Sequence, residues 1–350
     1  MLVGFFSTAL AILALRGWAT DIGLVDRPYG RKTHQGHIPL VGGLAIAVSF
    51  VAVSPFAKSL SVQLAPLVAA TLLVVTTGLV DDLRPLSALS RFFSQIAAAV
   101  VMVVWGGLVV SDVGNLWGAG EVHLNGSAVA FTIFCAVGIM NAMNMIDGLD
   151  GLAGGVGVVA LFWLCLGGQA AGLERGAELA CLLLSAVGGF LLFNLPLPWR
   201  RRATVFLGDA GSLLLGFLLA WCSIDLSQNS LGKFYPMSTV WILGVPIMDT
   251  VYIMLRRMAR GGSPFVGDRR HIHHALQNIG LSAGETLAVL IGMSVVFGGI
   301  GYLGWFFRVP ETTLCFSFLG VFLVYCVLRS GWRPLFRLLG LRILDSEPSK

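Results

Sequence analysis

The sequence predicts an all-α polytopic membrane protein, a bundle of about 11 transmembrane helices with its active site on the cytoplasmic face. Three observations carry this. Of 350 residues, 56% are hydrophobic and only 12% are charged, where a soluble domain carries about 25%. The mean hydropathy is +0.85. The 44 glycines suit bundles in a bilayer, where small residues let helix backbones approach closely. Finally, apolar runs near the roughly 20 residues needed to cross hydrocarbon recur along the whole chain.

In order, these runs are 2–19, 39–57, 63–80, 91–111, 126–141, 153–170, 177–195, 205–224, 235–255, 286–306 and 312–328. The first ends in Arg16-Gly17-Trp18 rather than a small-residue cleavage site, so it is expected to stay as the first span. No repeat, low-complexity tract or separable soluble segment interrupts the series. We therefore expect one integral-membrane domain over 1–350, with a long cytoplasmic loop at 256–285.

Basic residues set the orientation, because loops rich in Lys and Arg stay in the cytoplasm. Threading the chain through the runs puts about 19 of the 23 Lys and Arg on one side, leaving Lys58, Arg175, Lys233 and Arg308 on the other. The expected topology has the N-terminus outside and the C-terminus in the cytoplasm of a bacterial inner membrane. A net charge of +5 would raise nucleic-acid binding in a soluble protein. Here the charge is spent at a membrane surface, and no nucleic-acid partner is expected. Cys135, Cys165, Cys181, Cys222, Cys315 and Cys326 lie singly in apolar runs, without the close pairing of metal or redox motifs, and read as inert buried thiols.

Five segments on the cytoplasmic side hold the unusual polar residues. The first loop, from Asp26-Arg27-Pro28 through Arg31-Lys32-Thr33-His34 to Ile38-Pro39-Leu40-Val41-Gly42-Gly43, is dense in cations. It can anchor to lipid headgroups, recognise phosphates, or do both. Asp81 and Asp82 end an apolar span side by side. Twin carboxylates repel unless a cation or proton lies between them, which favours a metal or base role over a solvated helix end. In Asn144-Met145-Ile146-Asp147-Gly148-Leu149-Asp150, three polar residues spaced by three would share one face of a helical end as a binding strip.

Asp209, in Phe206-Leu207-Gly208-Asp209, opens an apolar helix either as a cap or, with the other carboxylates, as a metal ligand. Asp249 lies deeper in a span, where an ionisable group is by default a functional residue. The fifth segment runs from Arg256-Arg257 through Asp268-Arg269-Arg270 to His271-Ile272-His273-His274. Three histidines suggest zinc, yet the remaining donors are hard carboxylates, so an Arg and His phosphate clamp suits the sequence better. Carboxylates for magnesium beside cationic donors point to a phosphate substrate, and the lipid boundary points to a lipid as one of the partners.

These motifs resemble the polyprenyl-phosphate N-acetylhexosamine-1-phosphate transferases, glycosyltransferase family 4, over essentially the whole chain. The Arg-Lys-x-His-x-Gly-x-Ile-Pro-Leu-x-Gly-Gly loop and the His-Ile-His-His motif resemble the bacterial branch that uses UDP-N-acetylglucosamine and undecaprenyl phosphate. The resemblance implies transfer of N-acetylglucosamine 1-phosphate to the lipid, releasing UMP and starting an O-antigen, common antigen or teichoic acid type polysaccharide. It implies Mg²⁺, with Mn²⁺ as a substitute, on Asp209 and Asp82. Asp81 and Asp82 would handle the lipid phosphate, one of them or neither taking its proton, and His271, His273 and His274 would act with them in catalysis. Lys32, Asn144, Asp147, Asp150, Phe206, Arg257, Asp268 and Arg269 would bind substrate, with Phe206 on the uracil.

Two departures from the family pattern stand out. Leu89 occupies a position that is often basic, and Gly267 replaces a proline before Asp268. Another UDP-N-acetylhexosamine, or a flippase for polyprenyl-linked sugars, is the alternative reading, and a homodimer is a further possible partner.

Overall fold

Each of the eleven apolar runs folds as helix, but not every run makes a full span. A computed structural model describes residues 2–26, 37–196, 200, 202–229, 234–261 and 271–330. In chain order the elements are α1 (Leu2–Ile22), β1 (Val25–Asp26), β2 (Ile38–Pro39), α2 (Gly42–Val53), α3 (Leu64–Leu83), α4 (Ala88–Val100), α5 (Ala128–Ile146), α6 (Leu152–Ala170) and α7 (Glu174–Asn194). They continue as α8 (Gly208–Ser227), α9 (Pro236–Ile242), α10 (Gly244–Met258), α11 (Ile272–Asn278), α12 (Ala283–Phe306) and α13 (Glu311–Ser330). Nine helices among the described residues are long and apolar enough to cross a membrane, or ten if α9 and α10 count as one bent span. The chain is a multi-pass membrane protein.

Prolines explain why the count falls short of eleven. Run 39–57 yields only the 12-residue α2, closed by a tight turn over Ser54–Phe56 with Pro55 inside it. Twelve residues rise about 18 Å, well short of the hydrocarbon thickness of about 30 Å. Run 235–255 breaks at Leu243, and its two halves, α9 and α10, are bent by 81°. Pro246 has no N–H to give to the carbonyl four residues back, so it ends the first helix. It is tolerated in the opening turn of the second, where that donor needs no partner.

At the centre of the bundle stands α8, buried from Ala210 to Ser227. A helix that is apolar on every side belongs in such a core. Its neighbours α2 and α3 approach its first turn through Gly43 and Gly78, where a Cβ would collide with the backbone of Gly211 and Ala210 respectively. Small residues thus bring three helix ends together at one point. The β1–β2 ribbon pairs Val25 with Pro39 and Asp26 with Ile38. The strand direction is extended by Phe206, whose N–H donates to the Pro39 carbonyl (2.9 Å), while Gly42 N–H donates to the Phe206 carbonyl (3.0 Å). This lashes the entry of α8 to the entry of α2.

One expectation is corrected. Cys165 on α6 and Cys181 on α7 are not separate thiols but a disulfide, with Cα atoms 5.4 Å apart. The antiparallel α6–α7 pair sets them side by side, which their separation in sequence does not reveal. Asp112, in the connection between α4 and α5, is buried at 3% exposure and accepts the Gly114 N–H (3.2 Å).

Candidate active site

The twin carboxylates part company at the end of α3. Successive helical residues point about 100° apart, so Asp81 and Asp82 serve different neighbours. Asp81 is buried; it accepts the Leu86 N–H at 2.7 Å and the Arg91 guanidinium at 3.2 Å, closing the turn into α4. Asp82 turns to the head of α8, where it accepts the N–H of Asp209 (2.8 Å) and of Ala210 (3.2 Å). An unsatisfied helix N-terminus is a ready anion site, and here a carboxylate from another helix fills it. Self-capping by Asp209 is thereby replaced. Gly208, at φ +74°, makes the turn, and a Cβ there would press on the Asp82 carboxylate.

Asn144, on the last turn of α5, donates to Asp209 Oδ1 (2.6 Å) and to the Ser212 hydroxyl (2.9 Å). Beyond it the expected helical strip does not form. Helix α5 ends at Ile146, and Gly151 at φ +80° turns the chain into α6, so Asp147 and Asp150 lie in the connection rather than on a shared helix face. Asp147 is exposed along its side chain but has protein mass around it. That desolvation, with Asp209, Asp82 and Asp150 adding like charge, pushes its carboxyl up to about 7. Asp150 accepts the Ala203 N–H (2.9 Å), which secures the extended segment leading to Phe206.

Asn194, which carries no motif, proves central to the same segment. Its side chain accepts the Gly151 N–H (2.8 Å) and donates to the Val205 carbonyl (2.9 Å). Phe206 itself is half-buried just ahead of Gly208.

The histidine segment docks against this cluster. Gly148 lies against the His273 ring, where a Cβ would clash. His273 is 2% exposed; burial, with His274 and His271 beside it, pushes it down to about 4, so it is neutral near pH 7. The His271 and His273 rings lie nearly parallel, with centroids 6.0 Å apart, and His274 follows at 4.2 Å from His273. Asp249, the deep carboxylate, meets His271 Nδ1 at 2.8 Å. Arg257 lies half-buried at the last turn of α10. Lys32, Asp268 and Arg269 fall outside the described residues.

Asp81, Asp82, Asn144, Asp147 and Asp209 thus converge from α3, α5 and α8, with His273 at their edge. Among the described residues, the three Asp, Glu or His side chains whose ligand atoms all lie within 4.8 Å of one another are Asp112, Glu121 and His123, at the opposite end of the bundle. The donors at the head of α8 are oxygens of carboxylates and a carboxamide. Such hard donors fit Mg²⁺, which binds through one or two carboxylates and keeps several waters or substrate oxygens.

The chain belongs to glycosyl transferase family 4, whose pattern it matches over residues 64–227. That stretch holds Asp81, Asp82, Asn144, Asp147, Asp150, Phe206 and Asp209, and the similarity to whole proteins extends well beyond it. The chain is 34% identical over 339 residues to the undecaprenyl-phosphate alpha-N-acetylglucosaminyl 1-phosphate transferase of Escherichia coli (strain K12), covering 94% of this chain and 90% of that one. Proteins of the same description from Yersinia pestis (34% over 335 residues, 94% and 90%) and Haemophilus influenzae (31% over 333 residues, 95% and 94%) are similar over the same extent.

Proposed function

We propose that this chain transfers N-acetylglucosamine 1-phosphate from UDP-N-acetylglucosamine to undecaprenyl phosphate, giving undecaprenyl-diphosphate-N-acetylglucosamine and UMP. The relatives carry this activity in their names. The observation that brings it to particular residues is the junction at the head of α8, where Asp82, Asp209 and Asn144 from three helices share hydrogen bonds. In the reaction an oxygen of the lipid phosphate bonds to the β-phosphorus of the donor. The bond from that phosphorus to the bridging oxygen breaks, and UMP leaves with the electron pair.

Asp209 and Asp82 would hold Mg²⁺, with Mn²⁺ as a substitute. When bound, such an ion neutralises charge on the diphosphate oxygens. Asp81 is buried and paired with the Arg91 guanidinium, whereas Asp82 is half-buried with no cation beside it in an ion pair among the described residues, so Asp82 is the better placed of the twins to face the lipid phosphate. Asn144 and Asp147 would line the uridine side, with Phe206 against the uracil face and Asp150 holding the segment that presents it. Arg257 and the histidines, joined by Lys32 and Arg269, would absorb sugar-phosphate charge, with Asp268 binding the substrate beside them.

The distribution of about 19 basic residues against 4 supports a cytoplasmic active face, an external N-terminus and placement in a bacterial inner membrane. The product would start a cell-envelope polysaccharide of the O-antigen, common antigen or teichoic acid type. Asp249 is bonded to His271, so it serves the same end of the bundle rather than a midplane transport path.

The test is transfer of label from UDP-N-acetylglucosamine to undecaprenyl phosphate by purified protein with Mg²⁺, beside other UDP-N-acetylhexosamines. Label in the lipid phase with UMP released is the expected result. A preference for another sugar would change the donor, and no transfer from any donor by folded protein would overturn the reading.

A further inference from the structure

Resting on that transferase reading, we propose that Tyr325 and Asp249 are positioning residues for His271: the tyrosine hydroxyl on α13 holds the Asp249 carboxylate, and that carboxylate fixes the ring orientation and tautomer of His271. The peripheral helix α13 buries only Leu314, Cys315, Phe318 and Tyr325. Packing accounts for the first three. At Tyr325 a phenylalanine would pack equally well without burying a hydroxyl, so the hydroxyl needs its own explanation. It donates to Asp249 Oδ1 at 2.8 Å.

The same oxygen accepts the Ile272 N–H at 2.9 Å, and Oδ2 faces His271 Nδ1 at 2.8 Å. Asp249 is 2% exposed, so these three donors replace the water that a carboxylate otherwise requires. A carboxylate only accepts hydrogen bonds, which puts a ring hydrogen of His271 on Nδ1 and leaves Nε2 as the ring nitrogen turned away from Asp249. Because Ile272 N–H opens α11, one carboxylate sets both the helix start and the ring. Tyr325 is itself held: its ring meets Tyr252 edge to face at 5.6 Å, and the Arg329 guanidinium lies 5.2 Å from the Tyr252 ring centre and 5.9 Å from that of Tyr325. Helix α13 thereby reaches the histidine segment through the Tyr325 hydroxyl.

The experiment compares wild type, Tyr325→Phe and Asp249→Asn as full-length proteins in lipid nanodiscs. It reads kcat and KM for UDP-N-acetylglucosamine, thermal unfolding, and the ¹⁵N shifts of the histidine ring nitrogens, which report the tautomer whether or not the protein turns over. In Asp249→Asn the carbonyl stays with Tyr325 and Ile272, and the amide turns N–H toward His271, forcing the other tautomer. We expect kcat to fall by about 100-fold or more with KM held within about twofold, and the Nδ1–H signature of His271 to disappear. Tyr325→Phe loses one of three donors and should lower kcat by about tenfold at unchanged KM and unchanged unfolding temperature.

Wild-type kcat in Tyr325→Phe, or a loss that only follows the folded fraction, would overturn the proposal. So would a wild-type His271 lacking the Nδ1–H signature. A wild-type protein inert toward every UDP-sugar would instead defeat the transferase reading, with the nitrogen shifts still deciding whether Asp249 sets the ring.

Discussion

The two ends of α8 carry the same residue type in opposite settings. At its tail, Asp225 is paired with Arg175 from α7, a charge closed off by its partner. At its head, Asp209 shares its surroundings with Asp82, Asp81 and Asp147, with Asn144 as a direct hydrogen-bond partner and Arg91 as the nearby cation. Carboxylates brought together repel, and that cost is offset only by a proton, a cation or hydrogen-bond donors. The tail is built for the fold, whereas the head keeps acidic oxygens together for a charged guest.

The sharpest way to break this contrast is Asp209→Asn. We expect turnover to fall by about 1,000-fold or more, as when transition-state charge stabilisation is removed, while thermal unfolding in detergent stays at or above wild type. Wild-type turnover in this variant would erase the distinction between head and tail. Chelation asks the same question of the ion: transfer should stop with EDTA and return with added Mg²⁺ or Mn²⁺. Activity that survives thorough chelation would leave Asp209 and Asp82 without the proposed guest.

The tail should answer in stability alone. Arg175→Met leaves Asp225 buried without its cation and should cost about 3 kcal/mol, discounted for the partly open arginine, with turnover per folded molecule unchanged. Changing both, Arg175→Met with Asp225→Leu, should recover most of the loss in the same unfolding assay.

The smallest effect is a pH slope from His273. Its folded value near 4 lies below the unfolded 6.5. Between those values the unfolded chain binds the proton and the folded chain does not, so the contribution is complete above about 6.5 and is lost as pH falls toward 4. Replacing His273 with Gln should flatten the stability profile over that window by about 2 kcal/mol. An unchanged slope would show that this ring is not buried neutral.

What the sequence revealed follows from the range over which each signal acts. Apolar runs are local, so all eleven helical segments were legible, and Pro55 and Pro246 were in plain view even though their effect on span length was not. The carboxylates were legible too, because acids at the ends of apolar runs are conspicuous. Their division of labour was not, since whether Asp81 or Asp82 caps α8 depends on how α3 is rotated against a helix far along the chain. Asn194, Arg91 and Tyr325 went unread for the same reason. Each sits among residues that explain it as ordinary, and only its partner, as with Tyr325 and Asp249 on different helices, gives it a role. The strip of Asn144, Asp147 and Asp150 failed because α5 ends at Ile146, just short of Asp147, where periodicity had extended it.

The central claim is that a phosphorylated sugar, not a bare sugar, moves to the lipid. The direct measurement uses UDP-N-acetylglucosamine carrying ³²P at the β-phosphorus and ¹⁴C in the sugar, with undecaprenyl phosphate, Mg²⁺ and purified protein. Both labels entering the lipid phase in equal amounts, with unlabelled UMP released, is the predicted result. Carbon label alone in the lipid, with ³²P left in UDP, would contradict attack at the β-phosphorus and the account built on it.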